Sequence, residues 1–351
     1  LIKKRFLVTG GLGFIGSNLI RKLSLLKNVH ICNIDKISYS SSKESLQDIK
    51  TKNYSFKKIN IANQIKVREI IVNFRPDCII HLAAESHVDR SIDDPSEFIK
   101  SNIVGTYSLL NASYQYWKSL KNSKKVDFRF INVSTDEVYG SLSKNESSFT
   151  EDSNYNPSSP YSASKASSDH LARSWHKTYS FPVITTNTCN NYGPWQFPEK
   201  LIPLVINKCI NGKSIPVYGK GNQIRDWIMV DDHIEGLFKV IEKGKIGEKY
   251  NIGANCELSN IKVVRNICDY LDKVRPLKGK SYKNLIKHVK DRPGHDSRYA
   301  IDNKKVLKLG WRPKYNWQDG ISETIDWYLE NYNFLESKTK KIYSGERLGK
   351  L

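Results

Sequence analysis

The sequence predicts an α/β fold, a doubly wound parallel sheet followed by a smaller α/β lobe packed over the open end of the sheet. Two observations lead there. Over the first 190 residues, short apolar runs of strand length alternate with longer stretches of helical periodicity, which implies parallel pairing through right-handed crossovers. After about Asn190 the segments shorten, Pro and Gly become more frequent, and strand-like pieces such as Ile215-Pro216-Val217-Tyr218 interrupt helices. The expected division is a sheet domain over 1–190 and a lobe with C-terminal tail over 191–351, the boundary ragged because later segments return to the sheet. No internal repeat of fixed period is present.

In chain order, the apolar run 5–8 is the first strand, and glycines lead from it into an amphipathic helix over about 15–26. Strands are expected at 29–34 and 56–61, a helix at 65–74, and a strand at 77–82. A long helical stretch near 95–117 leads into a strand at 128–133, and a helix near 161–179 leads into another at 183–187. The Ser-rich run 38–42 reads as a loop.

Composition bounds the function. The 351 residues carry 56 Lys plus Arg against 36 Asp plus Glu, a net charge of +20. With 39% hydrophobic and 11% aromatic residues the chain is too apolar for a disordered polycation, and it is long enough for one large or two modest domains. No window approaches the roughly 18 consecutive apolar residues of a membrane span, and a strand beginning near Arg5 leaves no signal peptide to expect. The six cysteines (Cys32, Cys78, Cys189, Cys209, Cys256, Cys268) form no Cys-x-x-Cys pair and mostly sit in apolar runs, as buried free thiols of a reducing cytoplasm do. The eight histidines show no His-Glu-x-x-His and no His-x-His, so no metal site is expected. The lysines are scattered rather than gathered in a stripe, and the densest late stretch, 338–350, also carries Glu346; no nucleic-acid partner is expected. A field of that sign still attracts small anions.

The turn Thr9-Gly10-Gly11-Leu12-Gly13-Phe14-Ile15-Gly16 follows a strand and opens a helix. Glycines there allow a tight turn and close approach of a pyrophosphate to the helix N-terminus. Asp35 ends the second strand near the spacing of about 20 residues at which an acid meets the ribose 2′-hydroxyl, so NAD is favoured over NADP. Together these make the sheet Rossmann-type.

A tyrosine and a lysine four residues apart on a helix share a face, and the lysine's charge favours the phenolate that takes an alcohol proton. The spacing occurs four times: Tyr39/Lys43, Tyr54/Lys58, Tyr114/Lys118 and Tyr161/Lys165. The first lies in a loop, the second runs into a strand, and the third sits far along its crossover. Only Tyr161/Lys165 opens a helix, behind Ser159 and Pro160, just after a strand. That strand ends in Ser134-Thr135-Asp136-Glu137, which puts a hydroxyl and two carboxyls at the same edge, where an acid and a base can divide their labour.

These residues resemble the extended short-chain dehydrogenase/reductases, in the branch that dehydrates nucleotide sugars, from Phe6 to about Tyr328. The matching elements are TGGLGFIGS from Thr9, HLAAESHVDRSI from His81, NIVGTY from Asn102, STDEVYG from Ser134, SPYSASKASSDH from Ser159, NNYGP from Asn190, FPEKLIPL from Phe197, YGKGNQIRDW from Tyr218 and DRPGHDSRYAID from Asp291. The Tyr-Lys pair is shared across that superfamily; Thr-Asp-Glu followed by Arg-Pro-Gly-His-Asp is narrower. The resemblance implies bound NAD and the substrate dTDP-glucose. Tyr161, with Thr135 and Lys165, would deprotonate the C4 hydroxyl during oxidation, Glu137 would take the C5 proton, and Asp136 would protonate the departing C6 hydroxyl before hydride returns to C6. Cofactor contacts would fall on Gly10, Gly13, Phe14, Ile15, Gly16, Asp35, Lys36, Ile37, Ser38, Asn60, Ile61, Leu82, Ala83, Ala84, Glu85, Ser86, Ser101, Tyr161, Lys165 and Asn191. Substrate contacts would fall on Ser86, Thr135, Asn190, Lys200, Leu201, Pro216, Val217, Tyr218, Arg225, Asn260, Asp291, Arg292, Pro293, Gly294 and His295. Asn60 stands where the family usually has Asp, and Ser101 where it commonly has Thr; each keeps an acceptor or hydroxyl. A homodimer through the helices near 95–118 and 161–180 is expected.

The alternatives are another nucleotide-sugar dehydratase, a 4-epimerase or a decarboxylase of the same fold, and, from a different class, a non-catalytic NAD-binding sensor. An epimerase has no use for the Asp-Glu pair, and a sensor has no use for Tyr161, Lys165, Thr135, Asp136 and Glu137 together.

Overall fold

The structure, a computed structural model, describes residues 4–50 and 52–341. Its first half runs β1 (Lys4–Thr9), α1 (Phe14–Ser24), β2 (Val29–Asp35), β3 (Tyr54–Lys58), α2 (Gln64–Phe74), β4 (Cys78–His81), α3 (Val88–Asp93), α4 (Ser96–Phe98), a π turn at Ile99–Val104, α5 (Gly105–Ser119), α6 (Asn122–Asp127), β5 (Arg129–Thr135), α7 (Pro160–Tyr179) and β6 (Val183–Thr188). The second half adds β7 (Asn190–Tyr192), α8 (Leu201–Ile210), β8 (Ile215–Tyr218), β9 (Ile224–Met229), α9 (Val230–Lys243), β10 (Lys249–Ile252), β11 (Glu257–Ser259), α10 (Asn260–Val274), β12 (Ile286–Val289), α11 (Lys304–Leu307), α12 (Trp317–Glu330) and α13 (Tyr332–Lys341).

Seven strands form the main sheet in the order β10-β6-β5-β4-β1-β2-β3, every pair parallel. Period-two alternation sends successive side chains to opposite layers. Phe6 and Val8 of β1 pack in the layer of α1 and α9, while Leu7 between them packs in the layer of α2 and α5. Burial on both faces explains why these strands read as continuous apolar runs. The strand order reverses between β1 and β4, which pair through Thr9 and His81. A crevice therefore opens at the carboxyl ends there, between the glycine turn and the segment after His81.

A second core, built on α8, α10 and α12 with β8 and β9, defines the smaller lobe. The chain does not change lobes once at residue 190. Ile234, Leu237, Val240 and Ile241 of α9, Ile252 of β10 and Trp311 all join the core of β1 and α1. The third strand ends at Lys58, short of the expected 61, because Asn60 turns the chain: its Oδ1 accepts from Ala62 N at 2.9 Å, and Asn63 then caps α2. All six cysteines are free, five buried and Cys256 half-buried. Among the described residues no helix is long and apolar enough to cross a membrane, and no group of three or more His, Cys, Asp or Glu is placed to hold a metal ion. Leu1 and most of the basic stretch 338–350, from 342 onward, lie outside the described residues.

Candidate active site

The glycine turn is built for close approach. Gly10 has φ +71°, and a Cβ there would lie 2.7 Å from the Ala83 backbone; at Gly16 it would lie 2.3 Å from the Gly10 carbonyl oxygen. At Gly13, which caps α1 with no side chain of its own, only the Gly10 oxygen is near, at 3.3 Å, so the first turn of the helix faces the crevice uncovered. Asp35 is buried and oriented by its neighbours: Oδ2 accepts from Leu12 N at 3.1 Å, and Oδ1 from Ile37 N at 2.7 Å and Ser41 Oγ at 3.1 Å. Lys36 is no lone cation waiting for a 2′-phosphate. Its ammonium lies 2.7 Å from Glu85 and 3.2 Å from Glu97 and donates to Ser101 Oγ at 2.9 Å. Burial would lower its pKa, but the two carboxylates outweigh burial and raise it. The open helix start, the buried acid and the neutralised lysine fit a dinucleotide without a 2′-phosphate.

One crevice gathers all the expected cofactor residues except Ile37, which borders a neighbouring hollow with Tyr39 and Arg90. At φ +61° Ile37 occupies a region that β-branched residues rarely adopt. The π turn contributes too: Ser101 reaches Lys36, and Asn102 ties Glu85 O to Ser164 Oγ of α7.

Ser159 and Ser162 form a reciprocal capping box with Pro160 in the first turn, so α7 begins where its sequence says it should. That start buries Tyr161 and Lys165 beside the end of β5. Lys165 Nζ donates to Val133 O at 2.9 Å, and its charge is opposed by Asp169. Among the chain's own groups, burial and then the Glu137 charge push the Tyr161 hydroxyl up, and the Thr135 hydroxyl is the group that lowers it.

The adjacent carboxyls occupy opposed fields. Burial, Glu137 and Asp226 together raise Asp136 well above the usual carboxyl range, and its Oδ2 has no hydrogen-bond partner among the described residues. Burial raises Glu137 too, but Arg292, Arg225 and Lys200 all pull it down. Neighbouring carboxylates thus disfavour the anion of Asp136, while neighbouring cations favour that of Glu137 beside it.

Of the expected substrate residues, Ser86, Thr135, Asn190 and Lys200 line the same crevice, and Asn190 Oδ1 is buried without a partner among the described residues. Arg225 lies 4.1 Å over the Tyr299 ring and donates to Asp296 O at 3.0 Å. Arg292 donates to Asp89 Oδ1 at 2.8 Å, and Tyr218 donates to Asp89 Oδ2 at 2.9 Å. Asp291 accepts from Gln223 at 2.8 Å and pairs with His295 Nδ1 at 2.6 Å across the turn at Pro293 and Gly294, the latter at φ +60°. Asn260 opens α10, its N–H donating to Gln223 O at 3.0 Å. Leu201 and Val217 send their side chains into the second core, so any contact from Val217 is left to its backbone; Pro216 and Tyr218 lie half-exposed on the other face of β8.

Three participants went unnamed in the sequence reading: Asp89, Asp169 and Asp226. Asp169 had a signal, since it extends the four-residue spacing of Tyr161 and Lys165 on α7. Asp89 and Asp226 fall within the matching elements from His81 and Tyr218, but nothing local gave them a role, because their partners are distant in the chain.

The family model described as GDP-mannose 4,6 dehydratase matches residues 7–324. The dTDP-glucose 4,6-dehydratase of Shigella flexneri is 51% identical over 349 residues, covering 97% of this chain and 96% of its own. Among solved structures, the dTDP-glucose 4,6-dehydratase of Streptomyces venezuelae with NAD and dTDP bound superposes with a TM-score of 0.86 at 37% identity, covering 95% of this chain and 99% of that one. That of Bacillus anthracis in complex with NAD gives a TM-score of 0.84 at 39% identity, with the same coverage. A match so long, through both lobes and the crevice between them, means that the chain belongs to the GDP-mannose 4,6 dehydratase family and groups within it with the dTDP-glucose 4,6-dehydratases.

Proposed function

We propose that this chain is an NAD-dependent lyase that converts dTDP-glucose into dTDP-4-keto-6-deoxy-glucose and water. The observation that carries the reading is the pair of opposed fields on Asp136 and Glu137 beside Tyr161. Relatives of that name, about half identical over nearly the whole chain, support it.

When bound, NAD supplies the oxidant for C4 and later the reductant for C6, so the cofactor shows no net change. Gly10, Gly13 and the start of α1 would hold its pyrophosphate and Asp35 its adenosine ribose. Tyr161 takes the proton of the C4 hydroxyl, with Thr135 at its side and Lys165 supplying positive charge. Once C4 is a ketone, the C5–H bond is acidified, and Glu137 removes that proton. Asp136, held neutral, gives its proton to the C6 hydroxyl, which leaves as water as the C5–C6 double bond forms. Lys200, Arg225 and Arg292 would meet the diphosphate, and their charges favour the Glu137 anion against the burial that raises its pKa.

The test is incubation with dTDP-, UDP-, GDP- and CDP-glucose and GDP-mannose, following the alkaline absorbance of a 4-keto product. Turnover of dTDP-glucose alone or foremost is expected, and no product from any of them would defeat the assignment. Glu137→Gln should still oxidise C4, seen as NADH absorbance, while 4-keto-6-deoxy product falls by about a hundredfold or more; normal turnover in that variant would remove Glu137 from the role of base.

The same reading includes a homodimer and a cytoplasmic location. Ile99, Val104, Tyr107 and Tyr179 are each more than two-fifths exposed along α5, α7 and the π turn, an apolar strip suited to a second copy of the chain. Light scattering in solution tests it. The free thiols suit a reducing compartment.

A further inference from the structure

One cluster outside the catalytic groups joins the two lobes across the cofactor crevice. The loop after β2 lines the crevice with Ser38, Ser40 and Ser41, and the loop before α8 lines it with Phe197, Glu199 and Lys200. Tyr39 lies between those serines, yet its side chain reaches the second loop. Its hydroxyl donates to Glu199 Oε1 at 2.8 Å, and its ring meets Phe197 edge-on at 5.6 Å between centroids. Arg90 of α3 completes the cluster: Nε donates to Glu199 Oε2 at 2.9 Å, and the guanidinium lies 4.0 Å over the Tyr39 ring. The Glu199 side chain is only 2% exposed, so water does little to weaken the ion pair.

Resting on the reading of the chain as an NAD-dependent dehydratase, we infer that Tyr39, Glu199 and Arg90 form a strap that closes the cofactor crevice and keeps NAD in place through the whole catalytic cycle. The chemistry calls for such a device. Hydride leaves C4 and must return to C6 of the same sugar, so losing the reduced cofactor in between would strand the 4-keto intermediate. Nothing requires the cofactor to exchange, because each turnover restores it.

Backbone geometry agrees. Each strap-bearing loop holds a non-glycine residue at positive φ, Ile37 at +61° and Trp195 at +70°. Such conformations persist only where the surroundings over-determine them. The strap ties the two loops together within a few residues of both, so opening it would let them relax and widen the exit.

The test is cofactor retention. Wild type, Glu199→Gln and Tyr39→Phe are loaded with NAD, desalted and incubated with a scavenging dehydrogenase that consumes released NAD. Glu199→Gln keeps the shape and removes the charge; Tyr39→Phe removes one hydroxyl and keeps the ring. Loss of a buried hydrogen bond to a charged group predicts release about tenfold faster or more in each variant. Turnover without added NAD should decay correspondingly sooner and recover when NAD is supplied, with a single cooperative thermal transition in excess NAD showing that the fold is intact. Equal release rates in all three proteins overturn the strap and leave the activity assignment standing. A wild type that takes up no NAD overturns the assignment and the strap with it.

Discussion

Asp136 and Glu137 are neighbours in the chain, and what separates them is the company each keeps. Glu137 faces three cations drawn from the second lobe, Arg292, Arg225 and Lys200. Asp136 instead has Asp226 of β9 behind it, whose own pKa burial pushes up to about 6. Asp226 accepts from Cys256 N at 2.7 Å and Asn255 N at 3.3 Å, which fix it in place. Above pH 6 it is therefore mostly charged, and a fixed negative charge disfavours ionisation of Asp136. Asp226→Asn removes that charge, so the Asp136 anion becomes less costly and its pKa falls. The protonated form needed for elimination is then lost at lower pH, and the alkaline limb of the kcat/KM profile should move downward. A limb that stays in place would show that Asp226 is merely structural. None of this was legible from local sequence. Thr135, Asp136, Glu137, Tyr161 and Lys165 stood out because short motifs carry them, whereas Arg292 meets Asp89 across 203 positions and Tyr39 meets Glu199 across 160.

At the scale of elements, the parts most readable in advance were those whose cause is local. The glycine turn, the capping box before α7 and the alternation in β1 each follow from residues within one or two turns of each other. Element ends were less readable, since a single side chain such as Asn60 can stop a strand. The contact that holds β1, β4 and α5 together is also a pH device. Thr106 gives its hydroxyl proton to Asn102 O at 2.7 Å, so at 2.9 Å it accepts from His81 Nε2. Thr9 Oγ1 accepts from Leu82 and Ala83 N–H and gives its own proton to His81 Nδ1 at 2.8 Å. The neutral Nε2–H tautomer satisfies all of these; a second ring proton would meet the Thr9 hydroxyl proton head-on. Burial lowers the His81 pKa to about 3 from 6.5, with Lys165 adding to the effect. Below pH 6.5 the unfolded chain binds a proton that the folded chain refuses, so the stabilisation is complete above pH 6.5 and lost as pH falls toward 3. The expected slope is about 1.4 kcal/mol per pH unit. His81→Gln removes that proton, so the stability difference between wild type and variant, measured by denaturant unfolding, should shrink by that slope between pH 6 and 4. A difference independent of pH would mean that His81 does not titrate on unfolding.

For the molecule as a whole, the net charge of +20 says little beyond a general attraction for anions, since three named cations already stand around Glu137. The division of the chain says more. A cut near residue 190 matches the change of sequence rhythm but not the packing. The four apolar side chains of α9 in the core of β1 and α1, Ile234, Leu237, Val240 and Ile241, are buried with Ile252 of β10 and Trp311. At roughly 1.5–3 kcal/mol each, those four alone contribute on the order of 10 kcal/mol. That is comparable to the whole net stability of a typical domain, about 5–15 kcal/mol. A fragment ending at residue 190 would lose that cover and leave β6 with a bare edge where β10 pairs through Thr185 to Thr188. Such a fragment, although it keeps the glycine turn, Asp35, Tyr161 and Lys165, should show no cooperative thermal transition, should bind a hydrophobic dye and should take up no NAD. A fragment that unfolds cooperatively and binds NAD would show instead that the sheet domain is self-sufficient and that the later segments only cover it.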